Sequence, residues 1–295
     1  MSTRLDPYSL RLFVAVAREG SLARAAAKEH IATSALSRRI ANLEQLFGTP
    51  LIVRSPRGIA LTEAGQIVLK RGLQFENDLQ SLQQEIQAQS GEVSGTLRLF
   101  ANQSTIVGFL PERLRNFCAR YPRVTVALQE ASSADVLTAC LDDRCDVGIA
   151  VSIEVPGGIE SWHFHDDPLI VVLPRRHALA RARAVTFADV LQYPLITVQS
   201  GGALDRTLHD RAADARALLK IAVTVSSFDA VCRMVEAGLG IAIVPRSAAT
   251  AYAGSKQFIR KPLAEPWANR ELRLYALRKT PRPRISEIFI ATLRE

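Results

Sequence analysis

The chain has 295 residues, 48% of them apolar, with 37 Lys and Arg against 29 Asp and Glu for a formal charge of +8, and its pI is about 9.7. That apolar content fills more than one core at this length, and no run of ~20 apolar residues spans a bilayer. The positive balance suits a polyanionic partner. Four cysteines without CxxC spacing and the lack of an apolar leader predict a reducing, cytoplasmic setting with no disulfide framework.

Asp6-Pro7 predicts a helix start, because Asp accepts a bond from a free amide and proline needs none at the first position. Leu10, Phe13, Val14 and Ala17 share one face, and Gly20 offers a left-handed end. Ser21 caps a second helix, whose Ala25 and Ala26 admit a close neighbour, and His30 and Ile31 turn the chain. A third helix begins near Thr33 or Ser34, with Leu36, Ile40 and Leu43 inward. Its other face carries Thr33, Ser34, Ala35, Ser37, Arg38 and Asn42, short polar and basic groups suited to a major groove. Leu51 to Val53 and Ile59 to Leu61 then predict a hairpin turning at Ser55-Pro56-Arg57-Gly58, with Arg54 and Arg57 beside a phosphate backbone or minor groove. Residues 1 to 60 carry nine Lys or Arg and four acids. The three helices alone fit many helical proteins; the hairpin and the charge turn the reading toward DNA.

The order AREGSLARAAAKEHIATSALSRRIANLEQLFGTPLIVRSPRGIALTEAG resembles the winged helix-turn-helix of LysR-type transcriptional regulators. The match runs through Ser21, Ala25-Ala26, Ser37, Ile40, Leu43-Glu44, Gly48, Pro50-Leu51, Arg54, Leu61-Thr62 and Gly65. Three positions depart: Glu29 stands where the family usually has leucine, Thr33 where it has glutamine, and Ile52 where it has phenylalanine. The expected DNA-contacting set is Ser21, Thr33, Ser34, Ala35, Ser37, Arg38, Arg39, Asn42, Arg54 and Arg57.

Thr62 can cap a long helix in which Val68, Gly72, Phe75, Leu79, Leu82 and Ile86 form a heptad seam, on the order of 40 Å long with no proline to interrupt it. The resemblance implies a dimerising linker helix at this point, and Gly72 would let a partner approach closely. Ser90 to Gly95 reads as a break between domains.

Beyond it, predicted strands at Thr96 to Phe100, Val124 to Leu128, Asp146 to Val151, Leu169 to Leu173, Pro194 to Val198, Ile221 to Val225, Gly240 to Val244 and Arg273 to Leu277 alternate with helices. Phe109 to Arg120, Ala134 to Leu141, Asp229 to Ala237 and Ile285 to Leu293 read as those helices, and the alternation predicts parallel sheets covered on both faces. LPERLRNFCARYPRV, DVGIA, DPLIVVLPRRHALA and MVEAGLGIAIVP also resemble the LysR family, whose effector domain is similar to a periplasmic binding protein with two Rossmann-like lobes. The expected fold class is therefore α/β, with a winged helix-turn-helix over 1–61, a linker helix over 62–90, a first lobe over 91–162 and 268–295, and a second over 163–267.

Ligands in open α/β sheets bind beyond the carboxyl ends of strands, beside helix starts. The residues there are Gln103, Ser104, Thr105, Ser132, Ser133, Thr197, Ser200, Gly201, Ser227 and Phe228, and Ser104 falls where the family pattern places a ligand-contacting hydroxyl. Each serine or threonine is equally a candidate helix cap. Hydroxyls and helix starts suit an organic acid, although the run holds no arginine to clamp one.

Other constellations stay secondary. Cys140 and Cys145 could form a thiol switch, His163 and His165 beside Asp166 and Asp167 a metal site, and the nine basic residues against two acids from Lys256 to Arg284 a contact for DNA or another subunit. Core packing, strand alternation and solvated surface account for them more simply. Without G-x-S-x-G, P-loop or G-x-G-x-x-G motifs, no enzyme and no cofactor are expected. The partners expected are double-stranded DNA, a small-molecule effector and further copies of the chain as a dimer or tetramer.

Overall fold

The structure is a computed structural model describing residues 5–55, 58–88, 93–198, 202–251, 258–279 and 282–294. It divides into two compact units, Met1–Ser90 with Asp142–Arg144 and Gly91–Leu141 with Cys145–Glu295.

In the first unit, helix α1 (Pro7–Glu19) opens on Asp6, whose carboxylate accepts from the amides of Tyr8 (3.1 Å) and Ser9 (3.2 Å). It closes on Gly20, at φ 60°, a left-handed turn that glycine takes without a Cβ clash. Ser21 caps α2 (Leu22–Lys28) by accepting from the Arg24 amide, and His30, at φ 55°, makes the turn. Helix α3 (Thr33–Phe47) buries Leu36, Ile40 and Leu43 against Phe13, Val16, Ala25 and Ala26.

The wing follows as β1 (Ile52–Ser55) and β2 (Gly58–Leu61), antiparallel from Ile52↔Leu61 to Ser55↔Gly58. Glu44 ties it to α3: its Oε1 accepts from the amides of Leu51 (2.8 Å) and Ile52 (3.2 Å). Thr62 accepts from the Gly65 amide (3.0 Å) and donates to the Pro50 carbonyl (2.8 Å), opening α4 (Glu63–Ala88).

The predicted seam on α4 divides in two. Val68 packs on the head core, and a Cβ on Gly72 would meet Val14 Cγ2 at 2.7 Å and Leu10 Cδ1 at 3.2 Å. The close approach that Gly72 permits is therefore to α1 of the same chain. Leu79, Leu82 and Ile86, further along, are 48%, 53% and 61% exposed.

The second unit begins with β3 (Gly95–Ala101), α5 (Gln103–Gly108), α6 (Leu110–Arg120), β4 (Val124–Glu130), α7 (Ser133–Leu141), β5 (Val147–Val151) and β6 (Ile159–Asp166). The chain then builds a second lobe from β7 (Leu169–Pro174), α8 (Phe187–Val190), β8 (Leu195–Val198), α9 (Ala203–Asp214), β9 (Ile221–Val225), α10 (Phe228–Glu236), β10 (Ala242–Pro245), α11 (Arg246–Ala251) and β11 (Phe258–Pro262). Strand β12 (Glu271–Leu277) and helix α12 (Arg284–Arg294) return to the first lobe.

The first sheet has the order β4-β3-β5-β12-β6. Its β3 is parallel to β4 and β5, but the returning β12 runs antiparallel to β5 and β6. In the second lobe β7 is flanked antiparallel by β10 and β11, while β8 and β9 pair in parallel and join β10 through a Leu195↔Ile241 bridge. The first sheet is thus mixed, and the second lobe holds an antiparallel three-stranded sheet beside a parallel pair rather than one parallel sheet, because each lobe is completed by chain that has crossed from the other or doubled back.

The boundary expected at residue 163 also shifts. Phe164 is buried while His163, His165 and Asp166 are exposed, and β6 stays paired with β12 as far as Asp166↔Glu271. The chain leaves the first lobe at Asp167 and re-enters at Arg270, two crossing residues joined by Asp167 N donating to Arg270 O (2.9 Å).

Candidate nucleic-acid interface and effector cleft

On the head, Thr33, Ser34, Ala35, Arg38 and Asn42 are all exposed on α3, and Ser37 is half-buried. Arg54 on the wing donates to Ser37 Oγ (3.0 Å), so wing and helix present one polar surface. Nothing in the head ties down the side chain of Arg38 among the described residues, whereas Arg39 faces elsewhere. Its guanidinium bonds to Asp6 Oδ2 (2.8 Å) and Ser9 Oγ (3.1 Å) and lies 4.8 Å from the Tyr8 ring centroid. Arg39 clamps α1 to α3 through these contacts. Asp6 is held below the ordinary carboxylate range by the Ser9 hydroxyl first and by backbone amides and Arg39 after it. Ser21 serves as the α2 cap, and Arg57 lies outside the described residues.

A cavity of about 280 Å³ opens between the two lobes of the second unit. The first lobe lines it with Asn102, Gln103 and Ser104 at the start of α5, and with Glu130 to Ser133 where β4 leads into α7. The second lobe supplies Thr197 and Val198 at the end of β8, Gly202 to Asp205 and Leu208 of α9, and Phe228 of α10. Helix α9 has Gly202 as its N-cap residue, which brings no side-chain cap to the helix start.

Of the predicted effector contacts, Gln103, Ser104, Ser132, Ser133, Thr197 and Phe228 line this cavity. Two do not. Thr105 is fully buried with its hydroxyl on Asn102 Oδ1 (2.5 Å), and Ser227 caps α10 by accepting from the Ala230 amide (3.2 Å). Thr105 donates to Asn102, the α5 cap, and Ser227 is itself the α10 cap; a short hydroxyl near a helix start reads alike in sequence whether it serves the helix or a ligand. Ser200 and Gly201 lie outside the described residues.

Three charged lining residues escaped the sequence: Glu130, Asp205 and Arg270. Arg270 is the arginine the sequence run lacked. Its Nη2 donates to Asp167 Oδ2 (2.7 Å) and its Nε to the Asp167 carbonyl (2.9 Å). Asp167 also accepts from the Ser247 amide and hydroxyl, each at 2.9 Å, and Ser247 Oγ lies 3.4 Å from the Ser104 carbonyl. The side chains of Arg270 and Asp167 are 12% and 1% exposed. Burial pushes the guanidinium below its ordinary value, and Asp167 opposes that shift. This cluster joins both crossings to α5 and α11 at the floor of the cleft.

The remaining clusters are structural. Cys140 and Cys145 lie with Sγ atoms 3.2 Å apart in the core beneath α7; the bond from Cys140, then burial, pushes the Cys145 thiol well up. Burial raises Cys232 to about 11, so both stay protonated and unreactive at neutral pH. His163 bonds to Asp166 Oδ1 (3.1 Å), and His165 stacks against Phe109 with centroids 4.3 Å apart. No helix among the described residues is long and apolar enough to cross a membrane.

Known proteins share both parts of this arrangement. Residues 8–66 match the bacterial regulatory helix-turn-helix protein, lysR family, and residues 90–295 match the LysR substrate binding domain. The HTH-type transcriptional activator CmpR of Synechocystis is 28% identical over 257 residues, covering 87% of this chain and 83% of that protein. The regulator TfdT of Cupriavidus pinatubonensis is 34% identical over 194 residues, 65% of this chain and 84% of its own. A full-length OxyR variant of Pseudomonas aeruginosa superimposes with a TM-score of 0.79 at 19% identity, covering 99% of this chain and 95% of that one. CbnR bound to its target DNA gives 0.71 at 23% identity, with 98% and 99% covered. The residues matched span both units, and the chain belongs to the LysR family of DNA-binding transcriptional regulators, proteins that carry an effector domain and are not enzymes.

Proposed function

We propose that the chain is a cytoplasmic, ligand-responsive regulator that holds an interrupted inverted-repeat operator as a homo-oligomer and senses a small organic acid between its effector lobes. The observation that carries this reading is the cavity of about 280 Å³ walled by both lobes, because a ligand there changes the energy of one lobe arrangement relative to another, which regulation requires. The carboxylate would meet the uncapped start of α9, and Arg270, which has donors left beyond the two given to Asp167. Glu130 and Asp205 favour an acid that also carries a hydroxyl or amino donor. Pairing of two copies, as a dimer or within a tetramer, is supported by the exposed Leu79, Leu82 and Ile86 on α4. On this reading Leu61 ends the DNA-binding head, Ser90 ends the linker helix, and the chain exchanges lobes at Asp167 and Arg270.

Thermal-shift titration of the full chain against small organic acids with and without amino and hydroxyl groups tests the ligand class. A hydroxy or amino acid should raise the melting temperature in a saturable way; a response confined to apolar or cationic compounds would refute it. On the head, Arg38→Ala should weaken operator binding by roughly tenfold, within the 1–3 kcal/mol of a base-reading arginine, and leave oligomerisation unchanged. Equal affinity in a gel-shift titration at fixed salt would remove Arg38 from the interface.

A further inference from the structure

The second lobe carries a basic face at the far end of its sheet. Strand β7 leads away from the crossing at Asp167 for roughly 17 Å and ends at Pro174, paired with Phe258. The chain turns there through Arg175 and Arg176, with His177 N donating to Pro174 O (3.0 Å), and forms a short 3-10 turn over Ala178–Arg181. It then runs beside β11: Val185 bridges Leu263 in parallel, and its amide donates to Pro262 O (3.0 Å). Arg175, Arg176, Arg181 and Arg183 are thereby set around the strand that bears Arg260 and Lys261.

All five arginines are exposed and Lys261 is half-buried. Residues 174–185 hold four arginines and no acid, and burial keeps His177 toward its neutral form. None of the four pairs with a carboxylate among the described residues. The carboxylates nearest along the chain, Asp189 and Glu265, are engaged by Thr186 and by the Phe187 amide at the start of α8. An unneutralised cluster of this kind costs self-repulsion that a polyanion relieves. Among the described residues, those exposed between the arginines are Ala178, Ala184 and Pro262, with no aromatic or large aliphatic anchor of the sort a protein partner uses.

We infer that this arginine face binds the phosphate backbone of double-stranded DNA, giving the regulator a sequence-independent contact in addition to the head. Its signature is counterion release: each phosphate neutralised adds about 0.9 to the slope of log affinity against log salt.

The test uses the full chain and a random-sequence duplex of about 60 bp, long enough for more than one contact region. The variant R175Q/R176Q/R181Q/R183Q should show a slope shallower by about 3 to 4 and at least tenfold weaker binding at about 0.1 M salt. R181Q/R183Q should show about half that change, and the matching quadruple lysine variant should keep the wild-type slope, since it keeps the charge. Coincident slopes for wild type and both glutamine variants would overturn the inference. So would an equal loss in the lysine variant, which would mark a packing role, or a glutamine variant that loses binding only to an acidic protein surface.

Discussion

Replacing Arg270 with methionine is expected to destabilise the effector unit by about 3–5 kcal/mol and to remove its response to ligand. Methionine fills much of the same space but leaves Asp167, 1% exposed, with its charge buried and only Ser247 donating to it. Stranding one partner of a buried pair costs that much, and for a unit of this size it lowers the melting temperature by roughly 10 °C. Adding Asp167→Asn should recover part of the loss, because the stranded charge is then gone while the Ser247 bonds keep a partner. Calorimetry of the full chain reads both effects. A methionine variant that melts with wild type would show that the crossing does not depend on this pair.

Gly65→Ala is expected to abolish operator binding while leaving the effector unit intact. A Cβ at Gly65 would fall on the carbonyl oxygen of Leu51, the same oxygen that accepts from the Thr62 amide (3.0 Å) at the start of α4. Backbone cannot yield as a side-chain tip can, so the first turn of α4 or the base of the wing must move, at about 3 kcal/mol. The wing carries Arg54 to Ser37 Oγ, and that polar surface would separate. Affinity for the operator should drop by two orders of magnitude or more, with the effector unit's melting transition unchanged. Retained affinity would mean that the wing is not held by this junction.

These two sites differ in how legible they are in the sequence. Gly65 stands within a local pattern, as do Asp6-Pro7, Gly20 and Ser21, whose roles follow from cap chemistry acting over a few residues. The head can be read almost whole for that reason. Arg270 cannot: its partner Asp167 lies 103 positions away, and a lone arginine between two elements carries no periodicity. The intramolecular contacts of Thr105, Ser227 and Arg39 are hidden by the same blindness to space, since a hydroxyl at a strand end or a basic residue on α3 reads alike whether it faces a ligand or its own fold. The mixed first sheet and the extension of β6 to Asp166 are hidden too, because strand direction is decided by where the chain returns, and β12 returns from beyond the whole second lobe. Gly72 does signal a close approach, but a sequence cannot say whether a small residue admits another chain or, as here, its own α1.

Occupancy of the cleft is expected to alter how the paired heads sit on DNA, and everything proposed for the effector unit depends on that coupling. It is read by DNase I footprinting of the region upstream of the chain's own coding sequence, with and without the acid that raises its melting temperature. Two protected arms related by an inverted repeat should appear, with an extent or hypersensitive positions that change when the acid is added, and with no such change in the Arg270→Met protein. Protection that is identical with and without every acid that binds the cleft would break the link between cleft and heads.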